Sequence, residues 1–570
     1  MVPVPIRDMP GNGARKPFGK EARTEGDTMR TKPAWGLSLF APALALGLLL
    51  LTPGAVSSND FETPLLNLDL ISTNLEDYTF AKLDARGHLD GHILYTGCYL
   101  PDQCFRVVDV KDPNNLVLLA SPPVFDPVES PAPRLGQPVG SPEYNTWFST
   151  LPKYADLPIK APCGDWKPGG PGWSDNPTCW DPGWNTHSHY VQENNKILVA
   201  NQERYRTASQ NKRASYAGLT IWDVRDPANP VFLTRYEFPK GPRVNGVYTQ
   251  SGGVHHFYFD GRYVYGGTEY GPYTDETGAH PGFTDRIFFI VDLKVPTQPV
   301  EVGKWWVPGQ RDDEPRDWIP QTDFSAPIWK NASGKLTKKV AGHYVFVQGN
   351  RAYLAYHQEG MIILDVTDKS NPTFVGQLDY LVPPADRAPL ASGAPDISPD
   401  DAKCAEVNPT IATYGIACGS THAAKTVPGR NLLVVSDEYF SCPYGHVRIV
   451  DIQDETNPRV ISHFWYPAQI DCGRNWGDDP RDTTPSAHLG TAKDSKLYWM
   501  AWYAYGLRGI DISDPENPVE AGHYFYRILD NAVTSVTYDI AFGPHGYLYV
   551  TDNVSGIRVL KYTGQANSHK

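Results

Sequence analysis

Residues 361–372 read MIILDVTDKSNP: four apolar residues in a row, then Asp365, then Pro372 seven positions later. A continuous apolar run of this length, closed by turn residues, is the pattern of a short strand buried on both faces. The Asp supplies an Asx turn, and the Pro blocks further ladder pairing where the chain reverses. The same grammar recurs as FRVVDVKDPNNL, LTIWDVRDPANP, FFIVDLKVPTQP, VRIVDIQDETNP and LRGIDISDPENP, with the Asp at 109, 223, 292, 451 and 511. The first copy has Leu116 in place of the Pro.

Each copy sits third in a set of four short strand-like segments. One set is SHYVQEN, KILVANQ, GLTIWDV and PVFLTRYEF; another is GHYVFVQ, RAYLAYH, GMIILDV and PTFVGQLDY. A last set, SVTYDIAF, GYLYVTD and GIRVLKY, lacks its fourth strand, which PLLNLDLIS at 64–72 can supply. Regular four-strand units point to an all-β, seven-bladed β-propeller over residues 58–570, closed by a strand at about 64–73 and with long loops over one face. Composition agrees, since 52 Pro, 50 Gly and 32 Tyr against 5 Met describe turns and short strands, not long helices.

Residues 1–57 read as a leader. Arg30 and Lys32 precede the apolar run at 36–51, and Ala55-Val56-Ser57 offers small residues for cleavage, so a signal peptide and a periplasmic or secreted destination are expected, with Met29 as an alternative start. The eight Cys fall beyond it in sequence-near couples, Cys98 with Cys104, Cys163 with Cys179, Cys404 with Cys418 and Cys442 with Cys472, as expected of disulfides in an oxidising compartment. A net charge of -13 argues against nucleic acid as a partner.

Aligning the first strands of the units puts His189, His256, His343, His422 and His488 in one place, with Asp539 there in the last unit. First strands are innermost in a propeller, so these side chains should converge on the central channel. A packing role could be met by Ser, Thr or Val, whereas repeated imidazoles point to a metal. The long connections at about 121–186, 308–340, 380–418 and 466–486 all join a fourth strand to the next first strand and so emerge on the same face. The turns after the second strands bring Glu203, Glu269, Glu359, Asp437 and Glu438 to that face as outer ligands or acid/base groups.

The repeat grammar resembles the LVIVD-repeat family of exported propellers. The leader, the histidine ring and the acidic position at Asp539 also resemble copper-dependent propeller oxidoreductases of the thiocyanate dehydrogenase type. That resemblance implies a multinuclear copper centre, with copper ahead of zinc or iron, and oxidation of a small sulfur-containing molecule. It further implies an external electron acceptor such as a c-type cytochrome. The candidate catalytic residues come from position: His187, on the face of His189 but nearer the mouth, Glu269 at its turn, and Lys82 near the ring position of the first unit. Two other readings stay open: a polysaccharide lyase using His and Tyr at the channel mouth, and a non-enzymatic cell-surface interaction protein.

Overall fold

A computed structural model describes the strands and turns between Leu65 and Gly564. Residues 1–64, 122–185, 205–217, 473–484, 525–536 and 565–570 lie outside the described residues, with shorter gaps between. The leader, Lys82, His189, the couples Cys98–Cys104 and Cys163–Cys179 and the Trp-rich stretch at 165–185 are therefore not described. Among the described residues the chain is all-β with few helices, built from antiparallel sheets in a propeller-like repeat.

One unit shows the plan. Val345–Gln348, Arg351–Ala355, Met361–Asp365 and Thr373–Leu378 pair in chain order as an antiparallel meander. The third strand is buried along its apolar run, as its sequence requires. At its end Asp365 Oδ1 accepts from Thr367 N at 2.7 Å and Asp368 Oδ1 accepts from Ser370 N at 2.9 Å. The same double Asx turn follows Asp109, Asp223, Asp451 and Asp511. Carboxylates that satisfy these backbone donors explain the Asp spacing of the repeat.

Neighbouring units interlock through these turns. A Cβ added at Gly303 would meet Lys369 O at 2.0 Å, and one at Gly376 would meet Glu455 O at 2.1 Å. Only glycine lets the outer strand accept the next unit's turn. Apolar side chains fill the space between sheets: Tyr353 and Ile363 of one pack with Leu433, Val435 and Val450 of the next. Each such side chain contributes roughly 1.5–3 kcal/mol on burial.

The last sheet is completed from the start of the described chain. Leu68–Asn74 pairs with Gly556–Tyr562, from Leu68 opposite Tyr562 to Asn74 opposite Ile557. The expected strand at 64–73 is divided, however. Leu65–Leu66 pairs with Val519–Tyr524 of the preceding sheet, and the chain crosses between the two sheets at Asn67, whose φ is 52°.

Two disulfides brace the connections between sheets: Cys404–Cys418 lies within one, and Cys442–Cys472 ties the corner after Leu432–Asp437 to another. They fit an oxidising, extracytoplasmic setting. Cys404 of the first belongs to the short helix Pro399–Val407.

A buried charge pair links two strands. Arg508 Nη1 donates to Glu520 Oε1 at 3.0 Å, with the guanidinium over the rings of Tyr466 and Tyr505. Burial alone would raise the Glu520 carboxyl, but His523, Arg508 and Tyr466 hold it down at about 2 against an ordinary 4.5. A depressed folded-state value means stability that is present above about 4.5 and lost as pH falls toward 2. That loss should be about 3 kcal/mol. Denaturant titrations of wild type and Glu520→Gln between pH 7 and 3 should show a shallower acid loss in the variant.

Candidate metal centre

Five of the inner strands carry a β-bulge at the start, and the bulge selects which side chain faces the centre. His343 N donates to Ala355 O while Ala355 N donates to Tyr344 O, so two residues oppose one. His488 and Leu489 oppose Ala501 in the same way. The register also leaves two residues opposite one at His422/Ala423, His255/His256 and Tyr538/Asp539. The first residue of each bulge is thus His255, His343, His422, His488 and Tyr538.

This register moves the expected ring by one residue in two sheets. His255, not His256, occupies the place equivalent to His343, and Tyr538, not Asp539, completes the set. Alternation counting does not detect an inserted residue, so in "VHHF" and "TYDI" it points to the second bulge position and not the first. His256 still joins the cluster from the second bulge position. Its ring lies 4.7 Å from that of His343 and 5.4 Å from that of His422, with Tyr190 and Tyr344 against it. Asp539, in the corresponding second position, is buried and accepts from Ile540 N at 2.8 Å.

The imidazoles form a continuous arc. Ring centroids are 4.7 Å apart for His255 and His343, 4.5 Å for His343 and His422, and 4.3 Å for His422 and His488; Tyr538 follows at 5.2 Å from His488. Their Nδ1 atoms are committed around the arc. His343 Nδ1 meets His422 O at 3.3 Å, His422 Nδ1 meets His488 O at 3.1 Å, and His488 Nδ1 meets Tyr538 O at 2.7 Å. His255 Nδ1 is bonded to the Glu203 carboxylate, which Arg286 Nη2 also holds at 2.6 Å. Carbonyls and carboxylates only accept, so each Nδ1 carries the hydrogen and each lone pair sits on Nε2.

Those Nε2 atoms surround Glu438. Its Oε2 lies 4.0 Å from His343 Nε2 and 3.7 Å from His422 Nε2, and its Oε1 lies 3.9 Å from His488 Nε2. Two ligands bonded to one ion at about 2.0–2.1 Å cannot be more than about 4.2 Å apart, and all three separations fall inside that ceiling. Among the described residues two groups have ligand atoms close enough to hold an ion: His343, His422 and Glu438, and His255, His256 and His343. Burial, followed by the neighbouring His357, His422, His255 and Arg286, pushes His343 well below the ordinary imidazole value. It is therefore neutral, as a metal ligand must be.

The corners after the second strands add a further tier. Glu203, His357 and Tyr503 each bridge to the start of the next inner strand, at Gly253, Thr421 and Thr537. Tyr503 donates its hydroxyl to Glu438 and lies 4.6 Å from the His488 ring. His357 lies 4.5 Å from the His343 ring, with Nδ1 2.8 Å from Ser420 Oγ and Phe324 stacked on it at 5.2 Å. Both hold positive φ, 47° for His357 and 33° for Tyr503, a strained choice for bulky residues and one found at functional corners. Neither was expected from the sequence, where Glu359 stood in place of His357; aligning the ends of the second strands would have found both.

Of the three expected catalytic residues, Glu269 is buried at the corresponding corner, its backbone paired with Arg286, and belongs to neither ligand group. His187 lies in the two-residue strand Thr186–His187, paired with Glu203. Lys82 and His189 lie outside the described residues.

Replacing Tyr503 by Phe should weaken metal binding by roughly 10-fold without loss of fold, because Glu438 loses the hydroxyl that orients it. Metal titration with parallel thermal melts checks this; an unchanged affinity would separate Tyr503 from the centre.

The LVIVD repeat matches this chain at residues 342–379 and 503–525, two segments that contain His343, His357 and Tyr503. No curated protein matches the chain. Among solved structures it is similar to the computationally designed Ika8 protein, at 7% identity and TM-score 0.37 over 86% of this chain and 98% of that one. It is also similar to Sqt1 of Saccharomyces cerevisiae, at 7% identity and TM-score 0.42 over 88% and 100%. Likenesses of that size say nothing about activity.

Proposed function

We propose that this chain is an exported, seven-bladed propeller whose channel-mouth histidines hold a multinuclear copper centre. On this reading it oxidises a small, sulfur-containing molecule such as thiocyanate and passes electrons to an external acceptor such as a c-type cytochrome. The observation that carries the reading is the set of committed Nδ1 atoms, which aims the Nε2 lone pairs of His343, His422 and His488 at one carboxylate. Outer hydrogen bonds that fix the tautomer are the usual support of metal-ligating histidine. Copper is preferred to zinc or iron because the donors are imidazole-rich and free of thiolate, in a chain with disulfides.

Bound copper would supply the electron acceptor and acidify a coordinated water. The chain's own residues do the rest. His343, His422 and Glu438 would hold one ion, with His488 Nε2 facing the other Glu438 oxygen at 3.9 Å. Tyr503 fixes the Glu438 oxygen that faces His488. The seven blades are read from the four-strand grammar together with the closing pair of Leu68–Asn74 and Gly556–Tyr562. Export is read from the run at 36–51 and the disulfides.

Metal analysis of the protein purified from a periplasmic or secreted fraction, followed by thiocyanate oxidation with a cytochrome or dye acceptor, tests the reading. Copper at two or more ions per chain with acceptor reduction is expected. A preparation that neither contains nor takes up copper would overturn it and favour a polysaccharide lyase or a surface interaction protein.

A further inference from the structure

The two ligand groups share His343, and that sharing constrains how they can be filled. The Nδ1 hydrogen of His343 is given to the His422 carbonyl, which leaves Nε2 as its one ligating atom. One lone pair binds one ion at a time. An ion held by His343, His422 and Glu438 and an ion held by His255, His256 and His343 therefore exclude each other.

The two seats also differ in charge. The first contains the Glu438 carboxylate. The second consists of three imidazoles, and the nearest carboxylate, Glu203, is taken up by His255 Nδ1 and by Arg286 at 2.6 Å. A doubly charged ion gains about twice as much from an adjacent carboxylate as a singly charged one does. A neutral imidazole set makes no such distinction.

We propose that these are alternative seats for one ion of the copper centre: cupric between His343, His422 and Glu438, cuprous between His255, His256 and His343. This deepens the copper reading above and rests on it. His343 is the ligand common to both, and the neighbouring rings at 4.7 Å and 4.5 Å make the exchange a short step within the arc. The oxidation state of the ion then decides its place. The reduced ion lies beside the Glu203–Arg286 pair, and the oxidised ion beside Tyr503.

The test uses the full chain stripped of metal and titrated separately with Cu(II) and, anaerobically against a competing chelator, with Cu(I). Glu438→Gln should weaken Cu(II) at least about 10-fold more than Cu(I), and His256→Ala should do the reverse; His343→Ala should weaken both. X-ray absorption should report mixed nitrogen and oxygen donors for Cu(II) and nitrogen donors for Cu(I). If His256→Ala does not fold, His255→Gln takes its place. Equal losses for both oxidation states in Glu438→Gln and in the histidine variant would overturn the two-seat arrangement, as would loss of two ions in His343→Ala. Failure of the wild-type chain to bind either ion would instead sink the copper reading itself.

Discussion

His343→Ala should abolish tight metal binding while leaving a folded protein. His343 belongs to both ligand groups, so no alternative set remains among the described residues. Removing an outer hydrogen-bond partner already costs roughly 10- to 100-fold in affinity, and loss of a ligand should exceed about 100-fold. Stability should change by no more than about 1–2 kcal/mol, because the strands and Asx turns do not depend on the channel. Truncating a true core residue such as Leu364, fully buried between sheets, should cost about 2–5 kcal/mol and serves as the contrast. Dialysis equilibrium with parallel melts checks both arms; a variant that keeps its metal, or unfolds like Leu364→Ala, would show the arc to be packing.

The pH dependence follows from the same residue. His343 is held below its ordinary value of 6.5, chiefly by burial, so the folded chain resists its protonation. Its contribution to stability is present above about 6.5 and is lost as pH falls below that. Protons compete for Nε2 only below the usual imidazole range. Metal retention should therefore persist to a lower pH than for histidine in a peptide.

A chain that starts at residue 75 should fail to form a stable fold. It would lack Leu68–Asn74, which gives the last sheet its outer ladder against Gly556–Tyr562, and Leu65–Leu66, which caps the preceding sheet. Leu68 packs with Trp499, Leu507, Ile540, Leu548 and Leu560, so both sheets would expose apolar surface as well as an open edge. The loss should exceed about 5 kcal/mol, comparable to the whole stability of an ordinary domain. Adding the segment back as a peptide should restore part of the melting transition. A truncated chain with wild-type melting would refute the closing role of this strand.

How far the site was legible depends on the residue. His343, His422 and His488 could be aligned from the sequence because each stands at the start of a buried inner strand in a repeat whose Asp and Pro marks set the phase. His255 and Tyr538 could not, because a bulge inserts one residue and side-chain alternation then assigns the wrong neighbour. His357 and Tyr503 escaped for a different reason. Their positive φ turns them toward the centre from a corner, where residue type carries no periodic signal.

The amino-acid sequence by itself determined the all-β repeat, since buried apolar runs closed by Asp and Pro admit few other local structures, and it placed the completing strand at about 64–73. Only the tertiary structure decided that Glu438 stands among the histidines. It also decided that Glu203 is shared between His255 and Arg286, and that His343 must serve two ligand groups. Apart from His422 and Glu438, neighbours within one sheet, those relations join residues 50 to 95 positions apart on different sheets. Local propensity fixes a strand and its turn, but which side chains meet at the centre follows from how the sheets pack and where each bulge falls.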